Sequence, residues 1–426
     1  MIKQALVGMS GGVDSSVAAY LVREAGYDTT GATMRLFDNE TIGLDSGKTC
    51  CSLSSIEDAC AVANRLGISY VVYDMREDFK REVINRFVDA YEHGSTPNPC
   101  VACNKHLKFD LLYQLCARDL LSDQPDAGDL LSNAASNDDS GTYTTNSDGS
   151  SDSKSVVLNS GVNNAGNANT GKSADSNGYT AVRSLAEAPP LSIATGHYAR
   201  IEHDRGAGRF LLRKGVDPGK DQSYFLCDLT QEQLGRTLFP LGSMTKSEVR
   251  DVAESLGLVT AKKRESQDIC FVPGGDYASF IKGYTGHEYP YGDFVDAHGN
   301  VMGEHKGIIK YTIGQRKGLG LALKKPAYVC ALDVENNRVI LGDNGDLFKR
   351  DMTASEFNWI AMDVPSSDIR ASARIRYRHH EAPARIIPLG ADRVKIEFDE
   401  PQRAMTRGQS VVVYDGEYVI GGGIID

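Results

Sequence analysis

Gln4-Ala5-Leu6-Val7-Gly8 runs directly into Met9-Ser10-Gly11-Gly12 and then Val13-Asp14-Ser15-Ser16-Val17-Ala18-Ala19-Tyr20-Leu21. The first five residues form a short apolar run, and the last nine carry apolar residues at helical spacing. Strand, glycine loop and helix therefore follow one another without a spacer. Glycines let a backbone approach a phosphate without Cβ clashes, and a helix start aims N–H groups and its positive dipole end at an anion. A lone Gly-Gly would be read as an ordinary turn. Set between a strand and a helix, Ser10 to Ser15 is read instead as a phosphate cradle. No Gly-Lys-Ser/Thr follows, so the loop is not of the type that transfers a γ-phosphoryl group.

The same alternation continues outward. Apolar runs at Asp28 to Met34, Ser69 to Tyr73 and Leu191 to Ala194 alternate with helical stretches at Ser55 to Leu66, Phe79 to Tyr91 and Lys108 to Leu120. This predicts an α/β domain built on a doubly wound parallel sheet, with ligands beyond the carboxyl ends of its strands. After about Gly286 the pattern changes to short alternating strands with frequent glycine. Strands are predicted at Gly307 to Ile313, Ala327 to Asp333, Arg338 to Leu341, Ile369 to Tyr377, Val394 to Phe398, Ser410 to Tyr414 and Tyr418 to Ile424. Domains are expected at 1–286, at 287–346 and at 347–426, the last two being small β domains and the final one a barrel.

The chain has 426 residues, enough for more than one core, and a net charge of -11. Such a balance argues at first against a nucleic-acid partner. From Leu121 to Pro190, however, nine acids face three bases, so this stretch supplies six of the eleven excess charges. The body is only mildly acidic, and a local basic surface can still bind RNA. Residues 122–188 are rich in Asp, Ser, Asn, Gly and Thr, and are expected to be a disordered insertion between a helix and the next strand. No window reaches the ~20 apolar residues of a membrane span, and no signal peptide precedes Gln4, so a cytoplasmic protein is expected.

Nine unevenly spaced cysteines do not suggest a secreted disulfide framework. Thr96-Pro97-Asn98-Pro99-Cys100-Val101-Ala102-Cys103 places a Cys-x-x-Cys in a loop stiffened by two prolines just before a helix, where the dipole favours a thiolate. Metal binding, a redox pair and coincidence remain open from spacing alone. A structural zinc would need two further ligands, and no second Cys-x-x-Cys exists. Cys50-Cys51 is a weak additional pair. Cys270, in Ile269-Cys270-Phe271, follows the basic stretch Lys262-Lys263-Arg264 and is a candidate sulfur carrier once the other two features share its chain.

Ser10-Gly11-Gly12-Val13-Asp14-Ser15 is similar to the PP-loop of ATP pyrophosphatases, which cleave ATP between its α and β phosphates. Further motifs extend the likeness over nearly the whole chain outside the insertion. These are Thr96-Pro97-Asn98-Pro99, Ala194-Thr195-Gly196-His197-Tyr198, Lys220-Asp221-Gln222-Ser223-Tyr224-Phe225-Leu226, Ile269-Cys270-Phe271, Tyr311-Thr312-Ile313-Gly314-Gln315-Arg316-Lys317-Gly318 and Gly408-Gln409-Ser410. Together they resemble the bacterial tRNA-specific 2-thiouridylase family, which thiolates the wobble uridine of certain tRNAs.

The resemblance implies that Gly8, Met9, Ser10, Gly11, Gly12, Val13, Asp14, Ser15, Met34 and Gly196 hold ATP, with Mg2+. Cys103 matches the family's nucleophile and Cys270 its persulfide-bearing cysteine. Asn98, Pro99 and Cys100 would face the target base, while His197, Lys220, Asp221, Gln222, Arg376, Tyr377 and Gln409 would meet tRNA. The partners implied are tRNA and a sulfur-donor protein, either a persulfide relay or a cysteine desulfurase. Independently of the family, Arg370, Arg374, Arg376, Arg378 and Arg385 form a basic cluster in sequence, with Tyr377 available to stack on a base. Many family members carry Asp where this chain has Cys100. The departure opens a second scheme, in which Cys100, Cys103 and Cys270 ligate a 4Fe-4S cluster that carries sulfide. The rival functions are an amidating PP-loop synthetase, which needs no thiols, and a non-catalytic RNA-binding iron–sulfur module, which would turn over no ATP.

Overall fold

The computed structural model describes residues 3–38, 53–121, 156–157, 191–263 and 269–426. The expected insertion, apart from Val156–Val157, lies outside the described residues, as do Cys50 and Cys51.

Strand β1 (Gln4–Gly8) is central, pairing in parallel with β2 (Asp28–Arg35) on one side and β5 (Leu191–Ala194) on the other. Next to β2 lies β3 (Ser69–Asp74), edged by the two-residue antiparallel β4 (Val156–Val157), and next to β5 lies β8 (Thr237–Leu238). The six-stranded order is β4-β3-β2-β1-β5-β8, so the direction of winding reverses between β1 and β5.

Alternation along β1 feeds two cores. Ala5 and Val7 pack with α1 (Val13–Glu24), α2 (Leu53–Leu66) and the helix Lys246–Ser255 through Val17, Val62 and Val249. Leu6 points to the other face, against Phe79, Phe87, Leu107 and Phe109. A strand covered on both faces must be apolar throughout, which is why these runs are near-continuous rather than alternating. The doubly wound α/β expectation holds.

The opposite face is built from two long rods. One runs from α3 (Arg76–Phe79) through a π-helical stretch, Lys80–Ile84, into α4 (Asn85–Glu92). The other starts as α5 (Pro99–Ala102), passes through a π-helical stretch at Cys103–Leu111 and ends as α6 (Leu112–Leu121). The second rod begins nine residues before the expected Lys108. Pro99 occupies its first turn, where the missing N–H costs nothing and the fixed φ suits a helix. The Cys-x-x-Cys is therefore helical rather than in a loop before the helix.

The chain then forms a four-stranded sheet, β10-β9-β12-β11, from β9 (Gly292–Val295), β10 (Val301–His305), β11 (Tyr328–Asp333) and β12 (Arg338–Gly342). The predicted strand Gly307 to Ile313 is instead a tight turn around Ile308–Lys310. Gly307 (φ +97°) and Gly314 (φ +88°) bracket it, and the adjacent Ile308 and Ile309 are both buried, which a strand facing one core cannot achieve.

Six strands close the C-terminal barrel: β13 (Phe348–Trp359), β16 (Val394–Arg403), β15 (Ala382–Pro388), β14 (Ile369–Arg374), β17 (Ser410–Asp415) and β18 (Tyr418–Ile425), with β13 pairing back to β18. Closure removes unpaired edges. Strands β9, β10, β13 and β15 were not anticipated from the sequence, nor was a hairpin of β6 (Ala199–Asp204) and β7 (Arg209–Lys214), which leaves the parallel-sheet domain and joins the barrel beside β18. Arg213 pairs with Glu202 and with Glu417, and Arg209 donates to the carbonyls of Trp359 and Ile360. No helix among the described residues is long and apolar enough to cross a membrane.

A second bolt lies at the loop before β17. The Thr96 N–H donates to the Arg407 carbonyl at 2.8 Å, and Gly408, at φ +85°, lies so close that an added Cβ would stand 2.9 Å from Ser95 Cβ and 3.0 Å from Thr96 N. Gly408→Ala should therefore lower stability by roughly 1–3 kcal/mol, combining left-handed strain with the collision. Urea unfolding measures this, and an unchanged midpoint would show that the barrel and the segment leading into the second rod do not meet here.

Candidate active site

The loop after β1 and the loop after β5 meet where the winding reverses, at the place where open α/β sheets bind ligands. Gly11 takes φ +68°, and a side chain there would strike the Ser55 carbonyl. Gly12 precedes α1 in extended conformation, and its carbonyl accepts from the Ser15 hydroxyl at 3.1 Å and the Ser16 hydroxyl at 2.8 Å. The Ser10 N–H is turned back onto Ser15 Oγ at 3.1 Å. Ser10 is exposed, whereas Met9, Val13 and Ser15 are buried; Gly8 ends the strand and the half-buried Met34 lies near the end of β2. Gly196 presses on this turn, so that a Cβ would lie 2.8 Å from Asp14 C and Ser15 N. The two glycine-bearing loops thus form one concave backbone surface at the amino end of α1.

His197 follows within hydrogen-bond reach of Thr195 Oγ1, at 2.7 Å from its Nδ1, with its ring against Phe109 and Phe239. Burial, with a smaller contribution from Lys108, holds its pKa well below the ordinary histidine value, so the imidazole is neutral. Tyr198 reaches Asp14 Oδ1 through its hydroxyl at 2.7 Å, and Lys246 Nζ meets both oxygens of the same carboxylate. Lys263 donates to the Gly11 carbonyl at 3.0 Å and to Asp58 at 2.7 Å. Neither lysine was singled out in the sequence as a site residue. The capping box Thr245-x-x-Glu248 marks the helix that carries Lys246, but the sequence does not say that this helix lies beside α1.

Of the three thiols singled out, Cys100 is exposed, Cys103 is buried and Cys270 is half-buried. Cys103 belongs to the apolar cluster of Phe79, Phe87 and Leu107, and Cys270 packs against that same cluster. Phe271 anchors the Cys270 segment, its ring edge-on to Phe79, Phe87 and Phe280 at 5.2–5.4 Å. Other thiols differ in character: burial pushes Cys116 up to about 12 and Cys227 well above its ordinary range. Among the described residues no three His, Cys, Asp or Glu side chains are grouped as a metal site requires. Cys100, Cys103 and Cys270 are therefore not gathered as cluster ligands, and no step is routed through iron.

The residues expected to meet tRNA are distributed around this centre. Asn98 caps α5 in extended conformation and, with Pro97, Ala102, Lys105, Arg407 and Ser410, helps line a cleft of about 750 Å³ between the second rod and the barrel. Lys220 stands in the turn closed by its N–H to the Asp217 carbonyl. Asp221 is buried and accepts from Gly215 N, Ser223 N and Ser223 Oγ, all within 3.1 Å. Gln222 grips Tyr198 twice, its N–H donating to the Tyr198 carbonyl at 2.9 Å and its Oε1 accepting from the Tyr198 N–H at 3.0 Å. Arg376 donates to the Ala404 carbonyl and to Thr406 Oγ1, and burial lowers its pKa. Tyr377 lies against Phe225, ring centroids 4.4 Å apart, and Gln409 sits in the loop that docks on Ser95 and Thr96.

The arginine cluster read from the sequence is not one surface. Arg370 and Arg385 are cross-strand neighbours, ion-paired with Asp399 and with Asp368 and Glu397 respectively, while Arg374 turns to Glu381 and Asp221. Neighbouring carboxylates on different elements claim each guanidinium separately, which removes the run of free positive charge that the sequence suggests.

Family models match the chain from end to end. A tRNA methyl transferase HUP domain covers residues 3–159 and 180–274, a tRNA methyl transferase PRC-barrel domain covers 278–343, and an aminomethyltransferase beta-barrel domain covers 349–425. The tRNA-specific 2-thiouridylase MnmA of Clostridioides difficile is 43% identical over 100% of this chain and 99% of its own length. Those of Acetivibrio thermocellus and Moorella thermoacetica are also 43% identical, each over 99% of both chains. The chain belongs to the tRNA-specific 2-thiouridylase family. The amidating alternative is set aside by this membership.

Two expected outcomes follow from the geometry. Gly196→Ala should weaken binding of a non-hydrolysable ATP analogue by about tenfold or more, because the new methyl displaces Asp14 and Ser15; unaltered titration calorimetry would contradict the assigned contact. His197 should make stability fall with pH. Its folded-state pKa lies well below 6.5, so between these values only the unfolded chain binds the proton, and stability present above about 6.5 is lost as pH falls below it. Melting curves from pH 7.5 to 5.5 should be shallower for His197→Asn than for the parent; parallel curves would contradict the buried neutral ring.

Proposed function

We propose that the protein is a tRNA uridine 2-sulfurtransferase, which activates the C2 carbonyl of a wobble uridine with ATP and replaces its oxygen with sulfur. Family membership supports the tRNA thiolation, and the backbone cradle at Gly8 to Ser15 and Gly196 supports the use of ATP. What supports the chemistry is that one chain carries that cradle together with two thiols, Cys103 within and Cys270 against the same apolar cluster.

In this reading the uridine O2 attacks the α-phosphorus of ATP, pyrophosphate leaves, and the carbonyl carbon acquires AMP as a leaving group. Cys270 holds a persulfide supplied by a sulfur-donor protein. Its terminal sulfur forms a bond to C2 as the C–O bond to AMP breaks. Cys103, as thiolate, then attacks Cys270 Sγ, releasing thiouridine and leaving a Cys103–Cys270 disulfide, which a two-electron thiol reductant reopens. Mg2+ would accompany ATP and neutralise its phosphates. Asn98 and Pro99 at the start of α5 would face the base, Lys220 would meet the tRNA backbone, and Gln222 and Arg376 would brace the surrounding loops. The apolar wall supplied by Phe271 and Phe79 would keep water from hydrolysing the adenylate.

Cys270→Ser should still release pyrophosphate in the presence of tRNA and ATP but form no thiouridine, and Cys103→Ala should stop with the tRNA joined to Cys270 through the transferred sulfur. Pyrophosphate release and mass analysis of digested tRNA separate these steps. Thiolation by Cys270→Ser with the physiological donor would sink the persulfide scheme.

A further inference from the structure

Asp14 stands in the first turn of α1, inside the loop read as the ATP cradle, and its carboxylate is held from two directions. Lys246 Nζ lies 2.7 Å from Oδ1 and 2.8 Å from Oδ2, and the Tyr198 hydroxyl donates to Oδ1 at 2.7 Å. The Lys246 side chain is 11% exposed against 30% for Asp14, so the ammonium approaches from within while the carboxylate lies at the mouth. Both holders are themselves fixed. The Lys246 backbone N–H donates to Asp217 Oδ2 at 3.0 Å at the start of a helix closed by the Thr245–Glu248 capping box, and Tyr198 is gripped by Gln222.

The charge balance gives this arrangement its purpose. The amino end of α1 attracts anions, and a nucleotide brings its phosphates to the same place. An uncompensated carboxylate there would repel them across a few ångströms, in a site where water screens poorly. We propose that Lys246 is a positioning residue of the nucleotide site: by pairing with Asp14 from inside the protein, it cancels a negative charge in the loop that receives the polyphosphate and, with Tyr198, fixes the carboxylate in one orientation. The inference rests on the ATP reading given above and adds to it a residue 232 positions along the chain from Asp14.

The test is calorimetric titration of α,β-methylene-ATP with Mg2+ into the full-length protein and its variants. Lys246→Met should bind about tenfold or more weakly, with its ATP KM raised and its kcat at saturating ATP little changed, while Lys246→Arg recovers most of the affinity. Asp14→Asn introduced into Lys246→Met should also recover affinity, because no charge then remains to be cancelled. Should Lys246→Met fail to fold, Lys246→Gln, which keeps a hydrogen-bonding end towards Asp14 but removes the charge, decides in its place and is expected to bind about tenfold or more weakly. Wild-type affinity in a folded Lys246→Met overturns the proposal. So does a double variant as weak as Lys246→Met, which would mean that the lysine contacts phosphate directly. A parent protein that binds the analogue yet never thiolates tRNA removes the reaction scheme while leaving the Lys246 result in force.

Discussion

The architecture depends on one close approach, that of Gly196 to the backbone of Asp14 and Ser15. Two loops that follow parallel strands, separated by almost two hundred residues of chain, come within 2.8 Å of where a single Cβ would stand. Only glycine permits that distance. The approach converts two ordinary strand ends into one concave surface of backbone at a helix terminus, which attracts anions through its N–H groups and dipole. Asp14, Tyr198 and Lys246 gather around the same point, so the packing of three separate elements is registered on a single loop.

Thiol chemistry is placed by a different force. Cys103 is carried on a rod whose start is set by Pro99 and whose inner face is apolar, and Cys270 is carried on a segment held by Phe271 among three aromatic rings. Burying these aromatics is worth on the order of 2–3 kcal/mol each, far more than any one polar contact in the neighbourhood. Hydrophobic packing therefore positions the sulfurs and leaves hydrogen bonding to position the nucleotide loop. Burial in the same packing pushes the thiols of Cys116 and Cys227 above their ordinary range.

The barrel is more than an appended module. The β6–β7 hairpin extends its wall from the first domain, and the loop around Gly408 leans on Ser95 and Thr96, immediately ahead of the rod that carries Cys103. Arg376 holds that loop through the Ala404 carbonyl, at a residue with φ +55°. Residues that the family likeness assigns to tRNA thus also brace the protein, because the cleft between rod and barrel is shaped by the contacts that join them.

Local pattern determined a good deal of this. The apolar run and glycine loop at Gln4 to Gly12 specified strand and turn without reference to the remainder of the chain, since the geometry of a strand feeding a helix is set over a few residues. The strand Leu191–Ala194 and most barrel strands were legible for the same reason. Ile308 and Ile309 misled because adjacent buried residues in a turn have the same apolar signature as a strand. The early helix start at Pro99 was obscured by a proline-rich approach that also suits a loop. What tertiary structure alone decided were the meetings of distant charges and faces: Lys246 against Asp14, the dispersal of Arg370, Arg374 and Arg385 into separate ion pairs, and the inward turn of Asp221. Those outcomes depend on which elements pack side by side and which way each strand's side chains point, and neither property is encoded in the spacing of residues along one segment.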